Sequence, residues 1–289
     1  MSLRFQDLDK PRPADLVNIF YQIFMMITIV FHYNSIAQAP YFLAGHVLVI
    51  IFLLIISNQQ THRSIQWIKD FNPIFIILAN FTELHYLVHN VNQVDFDPLL
   101  IEIDFAVFGV HPTVWLEQWS HPLVVEYLQI VYAIFYFLPI ILGAILYKRK
   151  QFERFDFYIF VIVYGFYLSY ATYFLIPAIG PRFTIDHLQN IPVTGLWFTE
   201  GIRETLNQLE NIQRDAFPSG HTEITILTMY YAWKFTPRYF RILVVIGISL
   251  IISTVYLRYH YVIDVAAGAF LAAIVIWTAG PLYNRLTKK

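Results

Sequence analysis

Three short segments of the chain carry residue types that handle phosphate: Gly180-Pro181-Arg182, Phe217-Pro218-Ser219-Gly220-His221-Thr222, and Arg258-Tyr259-His260-Tyr261-Val262-Ile263-Asp264. His260 and Asp264 stand four apart, so at a helix start they share a face and the carboxylate can accept a hydrogen bond from one imidazole nitrogen. The other nitrogen is then turned outward as a nucleophile or base. Ser219 and Gly220 open a helix, where free backbone N–H groups and the positive dipole end favour an anion and glycine lets a phosphate come close. Arg182 and Arg258 add guanidinium groups suited to gripping phosphate oxygens in pairs. His221, in the same turn as Gly220, is a second imidazole available to protonate a leaving oxygen. Singly, each has a plainer reading, a hydrogen-bonded histidine or an arginine anchoring a helix end at an interface. Their convergence is what points to chemistry.

The elements that position them follow from composition. The 289 residues are 57% hydrophobic and 18% aromatic but only 13% charged, about half the charged share of a soluble domain. Apolar blocks of roughly twenty residues, the length that crosses a hydrocarbon core, recur along the chain. The expected fold is all-α, a polytopic membrane helix bundle of about eight transmembrane helices. A soluble enzyme and a disordered chain are excluded. So is a nucleic-acid partner, because 19 basic against 20 acidic residues leave no basic face. Without cysteine there is no disulfide or thiolate metal site, and the redox compartment is not legible.

Hydropathy places spans at Leu16–His32, Tyr41–Ser57, Phe71–Val88, Pro122–Tyr147, Phe155–Ala178, Ser219–Trp233, Tyr239–Leu257 and Tyr261–Leu282. The first follows Arg4, Lys10 and Arg12 without a small-residue cleavage site and reads as a retained helix. Of the 19 lysines and arginines, only Arg182, Arg203, Arg214 and Arg258 fall on the side opposite the N-terminus. The expected orientation therefore has both termini cytoplasmic and all three phosphate-handling segments facing the periplasm, exterior or lumen. Asp95–Trp119 mixes acidic and apolar positions and ends in Trp115 and Trp119, which suits helices lying in the interface plane. A second outer segment, Phe183–Phe217, is expected to hold a short helix between Gly201 and Gln213.

Pro218-Ser219-Gly220-His221 and the His260/Asp264 pair resemble the second and third signatures of the type 2 phosphatidic acid phosphatase superfamily, which includes lipid phosphatases and vanadium haloperoxidases. Gly180-Pro181-Arg182 sits where the first signature belongs, and the resemblance covers roughly Phe155–Leu282. Phe108-Gly109-Val110-His111-Pro112-Thr113 and His260-Tyr261-Val262-Ile263-Asp264 look most like the branch containing inositol phosphorylceramide synthase. The resemblance implies a six-helix lipid-phosphatase-like core with outer interfacial helices. It implies His260 as a nucleophile forming a phosphohistidine, Asp264 as its orienter and His221 as the acid for the departing alkoxide. Arg182, Ser219, Gly220 and Arg258 would hold the phosphate, with no metal and no cofactor. Three positions depart from the family pattern. Leu175 stands where a lysine is usual, Pro181 precedes rather than follows its arginine, and Thr254 occupies the place of the third-signature arginine. Arg258, one helical turn later, is the expected substitute.

A single membrane domain over 1–289 is expected, with N-terminal helices and interfacial segment at 15–120 and a catalytic core at 121–284. The expected activity is a lipid phosphatase or phosphotransferase. The phosphohistidine would be resolved by water or by a lipid or polyol hydroxyl, and sphingolipid or phosphoinositol headgroup transfer is one form of the latter. The alternative is a transporter or lipid scramblase with a degenerate signature, for which internal symmetry would be the sign. Glu83, His85 and His89 near the outer end of the third span are read either as helix-to-helix hydrogen bonding, as headgroup contacts or as a metal set. Glu126 and Glu223 raise the same question.

Overall fold

The structure is a computed structural model that describes residues 11–57, 63–210 and 214–288. Arg4, Lys10 and Lys289, used above for orientation, lie outside the described residues, as do Gln213 and the side chain of Arg63. Regular structure among the described residues is helical throughout. In chain order the helices are α1 (Pro13–Phe31), α2 (Ala39–Ser57), α3 (Arg63–Val91), α4 (Asp97–Phe108), α5 (Pro112–Trp115), α6 (Pro122–Ala133) and α7 (Phe137–Lys148). They continue as α8 (Phe152–Leu175), α9 (Pro181–Thr184), α10 (Thr199–Glu210), α11 (Gly220–Phe235), α12 (Pro237–Tyr256) and α13 (Val262–Thr287).

Helix α8 is the central post. It packs against α1, α3, α7, α11 and α13, and its Tyr158, Phe160, Val161 and Val163 are fully buried in the main apolar core. Large apolar side chains such as Phe31, Phe75, Phe270 and Trp277 stand exposed on outer faces, a distribution that suits lipid rather than water.

Among the described residues six helices are long and apolar enough to cross a membrane: α1, α2, residues Gln66–Val91 of α3, α8, α12 and α13. Two bent pairs, α4 with Pro112–Trp119 at 61° and α6 with α7 at 50°, raise the number to eight if each counts as one span. The polytopic bundle is therefore as expected, with two differences in detail. The helix expected at Pro122–Tyr147 is broken. Pro139, in the first turn of α7, has no N–H to donate to the Phe135 carbonyl, and its ring would clash there. The second difference is α11, which covers its expected range but at 16 residues is not among those six helices.

The end of α8 is set by Pro177, which disfavours helical geometry at Ile176 (φ −136°, ψ 71°). Helix α12 ends in a Schellman turn in which Tyr259 N donates to Thr254 O and Arg258 N to Val255 O. Arg258 takes the left-handed position of that turn (φ 67°), where glycine is usual. Close packing of α13 on α11 depends on Gly268, where an added Cβ would collide with the Ser219 carbonyl and press on Thr222. We expect Gly268→Ala to destabilise the protein by about 1–3 kcal/mol through this overpacking. Thermal unfolding in detergent measures it, and an unchanged Tm would refute the tight contact.

Candidate active site

All three phosphate-handling segments meet at one end of the bundle, around a cavity of about 80 Å³. His221, His260, Arg182, Gly220 and Asp215 line it, and Tyr132, Phe135, Phe166 and Tyr170 wall it. The break between α6 and α7 turns Phe135 and Tyr136 toward this chamber.

His260 is held by its backbone and its ring. Its N–H donates to Thr254 O at 2.9 Å, and Nδ1 donates to the Ala216 carbonyl at 2.7 Å. A carbonyl only accepts, so the proton must sit on Nδ1, and the neutral ring presents an Nε2 lone pair. The sequence expects Asp264 in the role of ring partner. Instead its Oδ2 lies farther away, 3.4 Å from Nδ1, and accepts the Tyr261 N–H at 2.8 Å as a helix cap. The carbonyl is the nearer partner because the chain just before α11 runs directly beside His260.

The His221 ring stacks on Tyr132 with centroids 4.5 Å apart and planes at 24°, and it stands 5.7 Å from the His260 ring. Its Nε2 is buried without a hydrogen-bond partner among the described residues. Arg182 lies over the Tyr259 and Phe183 rings at 5.1 and 4.6 Å and donates from Nη2 to Asn207. Its Nη1 is buried and likewise unpartnered among the described residues. Gly220 fronts the chamber so closely that an added Cβ would stand 2.7 Å from the Tyr173 hydroxyl.

Two expected phosphate ligands are placed otherwise. Ser219 is fully buried. Its hydroxyl accepts from Thr222 N and Thr222 Oγ1, and its own N–H donates to the Asp264 carbonyl. From this buried position it caps α11 and braces α13. Arg258 is absent from the lining of the reaction chamber. Its Nη2 donates to Glu117 Oε1 at 2.9 Å and to the Ile191 carbonyl. The left-handed turn at Arg258 swings the side chain away from His260 toward the outer segment, and burial lowers its pKa against the opposing pull of Glu117.

The secondary residues also separate. Glu83 is buried, with Oε1 2.9 Å from His46 Nε2, and His46 Nδ1 meets Gln22 Oε1 at 2.5 Å. His85 and His89 face the other way and are exposed, so a three-residue set does not form there. Among the described residues no group of three or more His, Cys, Asp or Glu gathers at metal distance. The Glu126 carboxylate gathers the backbone N–H groups of Leu196, Trp197, Phe198 and Thr199, tying the start of α10 to α6. Glu223 is buried and accepts from the Ser169 hydroxyl.

Sequence reading missed the residues that hold the site together, which lie on and just before α4. Asp97 accepts the N–H groups of Ile179 and Gly180 and the Tyr261 hydroxyl, each at 2.8 Å. Asp104 accepts Val262 N and Ile263 N at 2.8 and 2.9 Å, capping α13 from outside. Asp95 makes a two-point ion pair with Arg214, at 2.7 and 3.0 Å, beside the second segment. A signal was present, since Asp97 and Asp104 are seven apart on a mostly apolar helix and so share a face. Asp215 was also missed. Burial pushes its carboxyl up to about 6, against the pull of His260 and of its own backbone N–H.

Residues 100–278 match the PAP2 superfamily, and the chain belongs to that superfamily. It is 27% identical over 135 residues to a PA-phosphatase related-family protein of Dictyostelium discoideum. The matched part is 46% of this chain and 24% of the relative, so the chain spans about a quarter of the length of the curated relative it matches. No solved structure matches.

Gly180 has φ +99°, and an added Cβ would stand 2.7 Å from the Tyr259 carbonyl. A misplacement of about 1 Å costs on the order of 100-fold in rate. We therefore expect Gly180→Ala and Asp104→Asn each to lower turnover by ~10- to 100-fold while the protein stays helical. Circular dichroism beside initial rates in detergent checks both, and full activity in Asp104→Asn would show that the α4 tie does not position His260.

Proposed function

We propose that this member of the PAP2 superfamily is a membrane lipid phosphatase or phosphotransferase that works through a phosphohistidine on His260. The observation that carries the reading is the bond from His260 Nδ1 to the Ala216 carbonyl, which leaves Nε2 with a lone pair in the chamber shared with His221 and Arg182. Nε2 attacks phosphorus and the bond from phosphorus to the ester oxygen breaks. His221, protonated at that stage, gives its proton to the departing oxygen. Arg182 and the start of α11 at Gly220 balance the charge that gathers on the phosphoryl oxygens. In the second half-reaction water, or a lipid or polyol hydroxyl, loses its proton to His221 and attacks phosphorus. The bond to Nε2 then breaks and His260 is restored.

Water as the second nucleophile makes a phosphatase, and a hydroxyl makes a phosphotransferase of the kind that builds inositol phosphorylceramide. The sequence Phe108–Thr113 before the core favours the second, and so does the segment from His260 to Asp264. The partition of lysine and arginine supports cytoplasmic termini and a site at the opposite membrane face.

His260→Ala and His221→Ala should each lower turnover by ~10³-fold or more, because nucleophile and acid act as a unit. Acid-labile, base-stable label retained on the wild type after a phosphorus-labelled lipid, and absent from His260→Ala, would identify the intermediate. Near-wild-type activity in folded His260→Ala would sink the assignment. Activity should also survive EDTA and fall with orthovanadate, since the charge is met by a guanidinium and backbone N–H groups. Loss on chelation with recovery on adding one divalent metal would contradict that.

A further inference from the structure

A phosphoryl group in transfer spreads its charge over three oxygens, and donors aimed at them in advance stabilise it. Arg182 Nη1, buried and unpartnered among the described residues, is one such donor, and the Gly220 N–H at the start of α11 is another. The Asp215 carboxylate, ionised above about 6, faces the same space and only accepts. Leu175, where the family pattern has a lysine, is 68% exposed and absent from the chamber's described lining. A third donor has to come from elsewhere in the wall.

The wall is rich in tyrosine, and the hydroxyls differ in what they meet. Tyr170 donates to the Ile77 carbonyl at 3.4 Å. Tyr259 exchanges hydrogen bonds with the Gln129 carboxamide, at 3.2 and 3.4 Å. Gln129 belongs to a second cavity, about 370 Å³, which adjoins the first and shares Arg182 and Tyr259 with it. Tyr132 gives its ring face to His221. Tyr173 is buried, and its hydroxyl stands 2.7 Å from the point where a Cβ on Gly220 would lie, directly beside the first turn of α11. Ser169, one turn earlier on the same face of α8, stands next to that hydroxyl and donates its own proton to Glu223. With its proton committed, Ser169 can only accept, so the Tyr173 O–H can rotate between Ser169 and an oxygen in the chamber. Glu223 is fully buried, and its second oxygen has no partner among the described residues. A carboxyl and two hydroxyls buried within spans are expensive, and a role at the end that meets the chamber accounts for them.

We infer that Tyr173 is a further catalytic residue, whose hydroxyl donates a hydrogen bond to a phosphoryl oxygen beside the Gly220 N–H, and that Ser169 and Glu223 are the positioning residues behind it. Tyr173 keeps its proton throughout, so the proton still passes between His221 and the leaving and entering oxygens. A neutral hydroxyl supplies the third donor without adding a charge to the chamber. The inference rests on the reading that His260 takes the phosphoryl group, and it adds a residue to that site.

The test compares wild type, Tyr173→Phe, Ser169→Ala and their double variant as full chains in detergent, with His260→Ala alongside. Orthovanadate, which mimics the trigonal phosphoryl group, is a probe that needs no turnover. It should raise the Tm of wild type, and Tyr173→Phe should need ~10-fold or more vanadate for the same rise. Turnover is read on mixed micelles of phosphatidic acid and phosphatidylinositol. Tyr173→Phe should lower kcat by ~100-fold and leave KM within ~3-fold, the pattern for losing one donor to the transition state. Ser169→Ala should lower kcat by ~10-fold alone and cost nothing further beside Tyr173→Phe, because it acts through that hydroxyl. A purely structural role would lower Tm and give additive losses instead. Wild-type kcat and vanadate response in folded Tyr173→Phe would overturn the inference, and so would additive losses in the double variant or no vanadate shift in wild type. Should Tyr173→Phe not fold, an unchanged kcat in Ser169→Ala would overturn it equally. Activity kept in His260→Ala but lost in Tyr173→Phe would overturn the nucleophile reading and leave the role of Tyr173 standing.

Discussion

Three carboxylates on and beside α4 hold three separate pieces of chain in register. Asp97 grips the turn before Arg182, Asp95 grips Arg214 just before the second segment, and Asp104 grips the first N–H groups of α13. The backbone groups they satisfy lie at a loop and at a helix start, where N–H donors have no partner of their own and buried ones are expensive to leave unmet. A helix that reads as an interfacial cover is thus the clamp that brings the segments together. The arrangement also explains why Asp97 and Asp104 are buried although α4 is mostly apolar.

Inside the clamp the histidines are fixed by uncharged groups. A backbone carbonyl, at 2.7 Å, sets the tautomer of His260, and Asp264 stands behind at 3.4 Å while capping α13. His221 is fixed by ring packing against Tyr132 and Phe135. Aromatic walls and a carbonyl orient both imidazoles. Among the described lining residues, charge then falls to Arg182 and Asp215. The connection between chambers depends on Arg182 and Tyr259, whose rings and guanidinium stack in the shared wall.

Much of this was legible in the sequence. The apolar blocks fixed an all-helical membrane bundle because only a helix satisfies its backbone within one segment in hydrocarbon. The order of the signatures, with Arg182, His221 and His260 at helix ends, placed the site at one end of that bundle. Local chemistry settled where helices start and stop, as Pro177 and Ser219 show. The fates of Ser219, Arg258 and Asp264 were decided by tertiary structure. Spacing along a helix gives a shared face but not the neighbour that arrives there from elsewhere in the chain. Ala216, 44 residues before His260, accepts the imidazole hydrogen bond. Glu117, 141 residues before Arg258, takes the guanidinium. Asp97 and Asp104 find their partners 82 to 164 residues away. Hydrogen bonds are short-ranged and directional, so their partners follow from packing, which no local pattern of residues encodes.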